Sequence, residues 1–226
     1  MLLRALHPWN LTPAEAITLQ LQLAKQLLDR DNFGAIRYIA GIDVGFEDEG
    51  RVTKAAVCVL AIPELRLVES VVATRATDFP YVPGLLSFRE IPAILEALKQ
   101  LRTLPDMLFC DGQGRAHPRR LGIASHLGLI TELPSVGIAK SVLCGTHQPP
   151  AQAKGSHTPL IHRGEIVGAA LRTRENVRPV YVSAGHKISL QSALEYVMLC
   201  VTRYKLPEPT RLADKLASHT PKKQRM

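Results

Sequence analysis

The sequence has 226 residues, of which 46% are hydrophobic and 21% are charged. These proportions are typical of a globular protein and exclude a disordered chain, a collagen and a small disulfide scaffold. Lysine and arginine outnumber aspartate and glutamate by 28 to 20, so the net charge is +8, which favours a polyanionic partner such as nucleic acid. Only 5% of the residues are aromatic, which argues against a surface built on repeated aromatic stacking.

The four cysteines are scattered through the chain, without the spacing of zinc ligands. They are Cys58, Cys110, Cys144 and Cys200. We expect reduced thiols and a cytoplasmic location. His7–Asn10 interrupts the start of the chain before an apolar signal region can form, and no apolar run reaches the roughly 20 residues of a membrane span. We therefore expect a soluble, monomeric protein with a single domain over residues 1–226.

The first half of the chain predicts one helix and then an antiparallel meander. Thr12-Pro13-Ala14-Glu15 is a capping box with proline at the first helical position, so a helix is expected from there to about Arg30. Asp31–Gly34 ends this helix. Apolar runs with short connections then predict three strands, at Tyr38–Val44, Lys54–Ile62 and Leu65–Thr74.

The second half alternates strands with helices, which predicts a parallel extension of the sheet. This order indicates an α/β fold in which a mixed five-stranded central sheet is flanked by helices, as in ribonuclease-H-like proteins. The predicted elements are a helix over Glu90–Arg102, a strand over Met107–Cys110, a helix after His117-Pro118, a strand over Ser135–Ala139, a surface loop over Pro149–Ser156, two short strands over Glu165–Arg172 and Val180–Ala184, a helix over Ser189–Tyr204, and a short last helix capped by Thr210.

Basic residues are concentrated near the C-terminal end of the sequence. They are Arg203, Lys205, Arg211, Lys215, Lys222, Lys223 and Arg225. We expect residues 218–226 to form a basic, flexible tail. A solvated tail and a segment that contacts phosphates both explain this composition.

Two aspartates stand at the ends of apolar strands. Asp43 lies in Gly41-Ile42-Asp43-Val44-Gly45, and Asp111 follows Met107–Cys110. Burial of an unpaired carboxylate costs several kcal/mol, and carboxylates that converge from neighbouring strands repel unless a cation lies between them. Each aspartate alone is also typical of a turn. The pair, in a basic protein, favours a divalent metal site.

Two further acidic residues have competing explanations. Glu90 stands three residues after Ser87, so it fits a capping box. Pro92 disfavours a helix that begins at Ser87 and favours a start nearer Glu90, which would leave the Glu90 carboxylate free to point into the site. Asp214 lies in the predicted last helix, where a solvent-facing aspartate near the N-terminus is ordinary.

Three basic or neutral side chains are further candidates for the chemistry. Lys140 follows a predicted strand directly, from where its ammonium group could reach a phosphate or simply face solvent. His117 precedes Pro118 and fits either a helix cap or a proton donor. His186 follows a strand end and is a candidate phosphate contact. The usual loops that bind nucleoside triphosphates or dinucleotides are absent from the sequence.

Several longer motifs resemble the endonuclease V family, whose members are nucleases directed at inosine. The resemblance covers about residues 12–217. Its blocks are Gly41–Phe46, Pro80–Glu90, Asp111–Gly114, His117–His126, Gly137–Lys140, Gly185-His186 and Leu206–Arg211.

The resemblance implies roles for particular residues. The metal ligands fall on Asp43, Glu90 and Asp111, with Asp214 where members carry Asp or His, and the catalytic lysine falls on Lys140, with His117 near the site. Tyr81 falls on a wedge that separates strands, within Pro80, Tyr81, Val82, Pro83 and Gly84. Within the motifs we assign the base pocket to Leu85, Gly112, Gly137 and Ile138, and phosphate contacts to Arg119 and His186. Gln113 departs from the His or Asn of bacterial relatives.

The implied reaction is hydrolysis of the second phosphodiester bond 3′ to inosine, in DNA or RNA, leaving 3′-hydroxyl and 5′-phosphate ends. Mg²⁺ is the implied cofactor, with Mn²⁺ as substitute, and the implied process is DNA repair. Three other interpretations stay open: a ribonuclease-H-like nuclease for junctions or hybrids, a nucleic-acid-binding module without catalysis, and a hydrolase that uses paired carboxylates on a neutral substrate.

Overall fold

One mixed β-sheet organises residues 3–218, the part of the chain that the computed structural model describes. Its strands, in the spatial order β3-β2-β1-β4-β5-β8-β7-β6, are β1 (Tyr38–Glu47), β2 (Val52–Ala61), β3 (Arg66–Ala76), β4 (Met107–Asp111), β5 (Ser135–Ala139), β6 (His157–His162), β7 (Glu165–Leu171) and β8 (Val180–His186). The helices that accompany the sheet are α1 (Pro13–Ala24), α2 (Leu86–Lys99), α3 (Ile123–Thr131), α4 (Leu190–Leu199) and α5 (Glu208–Ser218). The basic residues Lys222, Lys223 and Arg225 lie outside the described residues.

The topology confirms the predicted fold class. β1, β2 and β3 form the antiparallel meander, and β4 and β5 extend it in parallel with β1. The predicted number of strands was wrong, because the sheet has eight strands rather than five. The two short strands predicted beyond residue 164 join the sheet as β7 and β8, with β8 antiparallel to β5 and β7 antiparallel to β8. β6 was not predicted. It contains Pro159 and has one buried residue, as an edge strand permits.

The capping box at the start of α1 is confirmed, because the Thr12 hydroxyl accepts from the backbone N–H of Glu15 and the Glu15 carboxylate accepts from Thr12. The helix ends at Ala24, well before Arg30. α4 likewise begins after its Ser189 cap but ends at Leu199. Both helices are therefore shorter than the sequence pattern predicts.

The predicted starts of two other helices were wrong. α2 begins at Leu86 and contains both Ser87 and Pro92, so Ser87 is not its cap and Glu90 lies in its second turn. α5 begins at Glu208, so Thr210 lies inside the helix, where its hydroxyl donates to the carbonyl of Pro207. Neither polar residue serves as the expected N-cap.

Helices cover both faces of the sheet. α2 and α3 pack on the face that carries Ala40 and Ile42, and α4 and α5 pack on the other face. On β1, Gly41 and Gly45 point to α5: a Cβ atom at Gly41 would lie 1.9 Å from the carbonyl oxygen of Pro209. Because side chains alternate along a strand, Asp43 lies between these two glycines on the same face. The glycines therefore let the backbone of α5 approach Asp43 closely.

Candidate functional site

Three carboxylates converge at one edge of the sheet. The parallel pairing of β1 and β4 ends at Ile42 and Cys110, so Asp43 and Asp111 follow it side by side. α5 adds Asp214 across the two glycines of β1. One carboxylate oxygen from each of these three aspartates lies within 4.8 Å of the other two. Oxygen ligands of this kind suit a hard divalent cation such as Mg²⁺ or Mn²⁺.

Glu90 approaches the same carboxylates from α2, on the opposite face of the sheet, and is only 7% exposed. Burial, together with the charges of Asp43 and Asp111, raises the pKa of Glu90 to about 8. The structure thus brings Asp43, Asp111 and Asp214 together, and Glu90 lies close enough for the charges of Asp43 and Asp111 to affect its pKa.

The aspartates are also held in an environment that disfavours their charges. Burial raises the pKa of Asp43 to about 7, with a further contribution from Asp111. Burial likewise raises the pKa of Asp111. A bound cation would relieve this destabilisation, because it favours the ionised carboxylates. The cluster therefore fits a metal site chemically as well as geometrically.

Lys140 bridges two members of the cluster. Its Nζ lies 2.6 Å from Asp111 Oδ2 and 2.6 Å from Asp214 Oδ1, directly after β5. Burial lowers the pKa of Lys140, but hydrogen bonds to the two carboxylates outweigh this and raise it above its usual range. Lys140 is therefore a fixed positive charge at the acidic edge rather than a freely solvated side chain.

A cavity of about 460 Å³ adjoins the acidic cluster. Asp43, Asp111 and Lys140 form part of its wall. The remaining wall comes from α1, from the wedge-forming loop and first residues of α2, from the segment between β4 and the start of α3, and from the end of β5 and the segment after it. These residues are Gln20, Tyr81, Val82, Pro83, Gly84, Leu86, Ser87, Gly112, Gln113, His117, Leu121, Gly122, Ile123, Ala139, Ser141, Val142 and Leu143. A cavity of this size can enclose a small ligand or a single nucleotide base.

We call residues Pro80–Gly84 the wedge loop. Tyr81 at its tip is 70% exposed. At its base, the carbonyl oxygen of Gly84 accepts hydrogen bonds from His117 Nε2 (3.0 Å), Arg119 Nη2 (2.8 Å) and Gln20 Nε2 (3.0 Å). His117 and Arg119 therefore contact the wedge loop.

His117 is a buried, neutral side chain. Its Nδ1 accepts from the backbone N–H of Arg119, so its Nε2 carries the proton that it donates to Gly84. Burial, together with the charge of Arg119, lowers the pKa of His117 to about 4. Both ring nitrogens are engaged within the protein.

Other predicted site residues lie away from the cavity surface. Leu85 packs with Phe79 and Phe88 instead of facing the cavity. Gly137 and Ile138 are buried in β5, where Gly137 allows the turn at residues 112–114 to pack against the strand.

His186 occupies the end of β8 that is remote from the acidic edge. It pairs with Ser135, at the opposite end of β5 from Lys140, and accepts at Nδ1 from the backbone N–H of Leu28. The structure does not bring His186 to the acidic cluster.

Several residues of the wall were absent from the sequence-based predictions, among them Gln20, Val142 and Leu143. Val142 and Leu143 are partly exposed apolar residues after Lys140, for which the sequence offers no clear signal. Gln20 does have a signal in the sequence, because it lies on the apolar face of α1 together with Ala16 and Leu23. A polar residue at such a position needs buried hydrogen-bond partners.

Comparison with known proteins places these features in a family. Residues 21–215 match the family described as Endonuclease V. An endonuclease V from Trichormus variabilis is 58% identical over 214 residues, which cover 94% of this chain and 97% of that protein.

Solved structures agree with this match. The crystal structure of the endonuclease V from Streptomyces avermitilis has a TM-score of 0.88 at 41% identity and covers 92% of each chain. A Ciona intestinalis endonuclease V (D234N), solved in complex with a 23mer DNA containing an inosine followed by a ribo-adenosine, has a TM-score of 0.79 at 27% identity and covers 92% of this chain and 97% of that one.

Proposed function

This chain belongs to the endonuclease V family of hydrolytic nucleases, and we propose that it cleaves nucleic acid at inosine. One observation carries the proposal: Asp43, Asp111 and Lys140 belong to the acidic edge and also line the cavity beside it. A site that cuts a phosphodiester bond and a pocket that holds a base are therefore next to each other. The inosine-containing DNA bound by the Ciona relative supports the same substrate.

We assign the metal site to Asp43, Glu90, Asp111 and Asp214. The family is metal-dependent, and we propose Mg²⁺, with Mn²⁺ as substitute, because the donor set consists of carboxylates. When bound, such an ion supplies an activated water and stabilises the negative charge that develops on the reacting phosphate. Asp43 and Asp111 line the cavity, so a phosphate of the strand can approach the metal site from there.

Lys140 contributes a positive charge at the same edge. With its ammonium group held by Asp111 and Asp214, it is oriented before the substrate arrives. A preorganised cation beside a phosphate stabilises the additional charge of the transition state. We therefore propose that Lys140 contacts the scissile phosphate.

His117 is better explained as a support than as a proton donor. Its Nε2 proton is committed to the carbonyl of Gly84, and its lowered pKa keeps the ring neutral near pH 7. We propose that His117 holds the wedge loop in place. We also propose that Arg119, which donates to the same carbonyl oxygen, supports this loop rather than contacting a phosphate.

The cavity wall can distinguish hypoxanthine from adenine. Ile123 opens α3, and the preceding N-cap position is Gly122, which provides no side-chain cap. The N–H groups of Gly122 and Ala124 already donate to the carbonyl oxygens of Gly114 and Gln113, so the contribution of α3 is the positive end of its dipole, which favours an acceptor. Hypoxanthine presents a carbonyl oxygen where adenine presents an amino group, and we propose that this end of α3 favours the carbonyl oxygen.

Tyr81 explains how a base can leave a duplex. Extruding a nucleotide costs a few kcal/mol, and less for a weakly paired base. The exposed ring at the tip of the proline-bracketed wedge loop can occupy the gap that the extruded base leaves. We propose that the cut then falls at the second phosphodiester bond 3′ to inosine, as in the family, with 3′-hydroxyl and 5′-phosphate products, and that the process is DNA repair.

We also propose a cytoplasmic location, which free thiols at all four cysteines support. Within residues 3–218, none of the helices has the length and apolar character required to span a bilayer.

The test is cleavage of matched DNA and RNA oligonucleotides that contain one inosine or one adenosine, with Mg²⁺ and with EDTA. We expect a cut at the second bond 3′ to inosine that EDTA abolishes and adenosine does not support. Cutting that EDTA does not inhibit would favour hydrolysis by paired carboxylates. Binding without cutting would favour a binding module, and equal cutting of an undamaged RNA–DNA hybrid would favour a general ribonuclease-H-like enzyme.

A further inference from the structure

We propose that Gln20, on α1, is a positioning residue for the base pocket, because it fixes the carbonyl of Gly84 at the base of the wedge loop. This inference rests on the proposed recognition of inosine, since the wedge loop borders the pocket. It assigns a role in substrate preference to a residue that is more than 60 positions away from that loop in the sequence.

The burial of Gln20 shows that its amide serves an internal purpose. The residue is 1% exposed and shares the buried face of α1 with Ala16 and Leu23. A leucine at this position would contribute apolar burial, whereas a buried amide is unfavourable unless all its polar atoms have partners.

Every polar atom of the Gln20 side chain has a partner. Nε2 donates to the carbonyl oxygens of Gly84 (3.0 Å) and Leu121 (3.1 Å), and Oε1 accepts from Arg119 Nε (2.5 Å). One amide therefore connects the wedge loop to the segment before α3. Both segments contribute residues to the cavity wall.

The carbonyl of Gly84 is saturated by this arrangement. It accepts from Gln20, His117 and Arg119, although a carbonyl oxygen has only two lone pairs. It is therefore not available to a substrate, and its three partners act by holding the peptide in place. Gly84 has a φ of +79°, and a Cβ atom there would lie 2.8 Å from Arg119 Nη2, so the contact needs glycine.

Loss of the hydrogen bonds made by Gln20 should disturb the base pocket more than the acidic cluster. The wedge loop ends where α2 begins, and α2 is held independently by the buried side chains of Ile91 and Ile94. Gln20 makes no hydrogen bond to the four acidic residues among the contacts of residues 3–218. We therefore expect a change in base preference without a change in general affinity for DNA.

The experiment compares Gln20→Leu and Gln20→Glu with wild type. Leucine removes all three bonds, while glutamate keeps the shape and the acceptor for Arg119 but loses both donors. Gln22→Leu, an exposed position on the same helix, is the matched control. Affinities for a single strand with one inosine, and for the same strand with adenosine, are measured by fluorescence anisotropy with Mg²⁺ in the cleavage-deficient Asp43→Asn background. Thermal unfolding shows which variants are folded.

We expect the ratio of the adenosine Kd to the inosine Kd to fall at least tenfold in both Gln20 variants, while the adenosine Kd stays within about twofold. Gln22→Leu should match wild type. A folded Gln20→Glu variant that keeps the wild-type ratio overturns the inference, and so does an equal loss of affinity for both strands. If wild type itself shows no preference for inosine, the proposed function fails, and this inference fails with it.

Discussion

Substitution of Gly41 by alanine tests whether the contact between α5 and β1 sets the geometry of the acidic cluster. The added Cβ would lie 1.9 Å from the carbonyl oxygen of Pro209 and 2.6 Å from the backbone nitrogen of Thr210. These are backbone atoms of α5, so no side-chain rotation can relieve the contact. Reaching 3.0 Å, which real Cβ contacts rarely go below, requires the helix and the strand to separate by about 1 Å.

A shift of this size carries Asp214 away from Asp43 and Asp111. A misplacement of about 1 Å can cost on the order of 100-fold in rate, so we expect a loss of cleavage of that order. Overpacking typically costs about 1–3 kcal/mol, and the upper value corresponds to a decrease in Tm of roughly 6–12 °C for a domain of this size.

The assay uses a graded series. At Gly45 the added Cβ would lie 2.6 Å from the carbonyl oxygen of Ala217, near the end of α5, whereas at Gly34 nothing lies within 4 Å. We measure Tm and the Mg²⁺-dependent rate at saturating inosine-containing DNA. Losses should be largest for Gly41→Ala, intermediate for Gly45→Ala and negligible for Gly34→Ala. A wild-type rate and Tm in Gly41→Ala would refute the reasoning.

Three further predictions address the other parts of the site. Asp43→Asn and Asp111→Asn should abolish cleavage but keep binding of inosine-containing DNA; normal Mg²⁺-dependent turnover in either folded variant would rule out the metal assignment. Tyr81→Ala should weaken binding to a duplex with paired inosine more than binding to a strand in which inosine is already unpaired, and equal losses would contradict a wedge. Stability to urea should fall more steeply in wild type than in His126→Asn as the pH decreases from about 6.5 towards 4. Burial lowers the pKa values of His117 and His126 to about 4 and about 3, so in that interval these rings bind protons in the unfolded chain and not in the folded one. Comparison with the variant cancels the opposite contribution of Asp43 and Glu90, whose raised pKa values favour proton binding in the folded chain. The same pH dependence of the urea midpoint in both proteins would contradict this.

The sequence was sufficient to predict that Asp43 and Asp111 meet. Both follow apolar residues of strands, and the carboxyl ends of parallel neighbours lie at one edge of a sheet, so local pattern and topology decide the result. Lys140 was predictable for the same reason, since it follows the next parallel strand. The strand number was not predictable, because β6 is an exposed edge strand with a proline and lacks the apolar pattern of the central strands.

Asp214 could not be placed from its own surroundings in the sequence. A polar residue on an amphipathic helix resembles any solvent-facing aspartate, and only the packing of α5 brings it to the cluster. The same holds for Glu90, whose helix start was misplaced although its carboxylate does reach the site. For both residues the deciding interactions are between elements distant in the chain.

The two glycines around Asp43 have a structural role that the local sequence pattern misrepresents. In a segment such as Gly41-Ile42-Asp43-Val44-Gly45, glycines close to an aspartate are typical of a turn, yet here the segment continues as a strand to Glu47. Glycines two residues before and two residues after an aspartate lie on the same face of the strand as the aspartate side chain. Because glycine has no side chain, the element that covers this face can approach the strand more closely there. The spacing thus indicates an aspartate approached closely by another backbone. In this protein that backbone belongs to the helix that supplies Asp214, so the glycines help to build the acidic cluster although they offer no ligand atom.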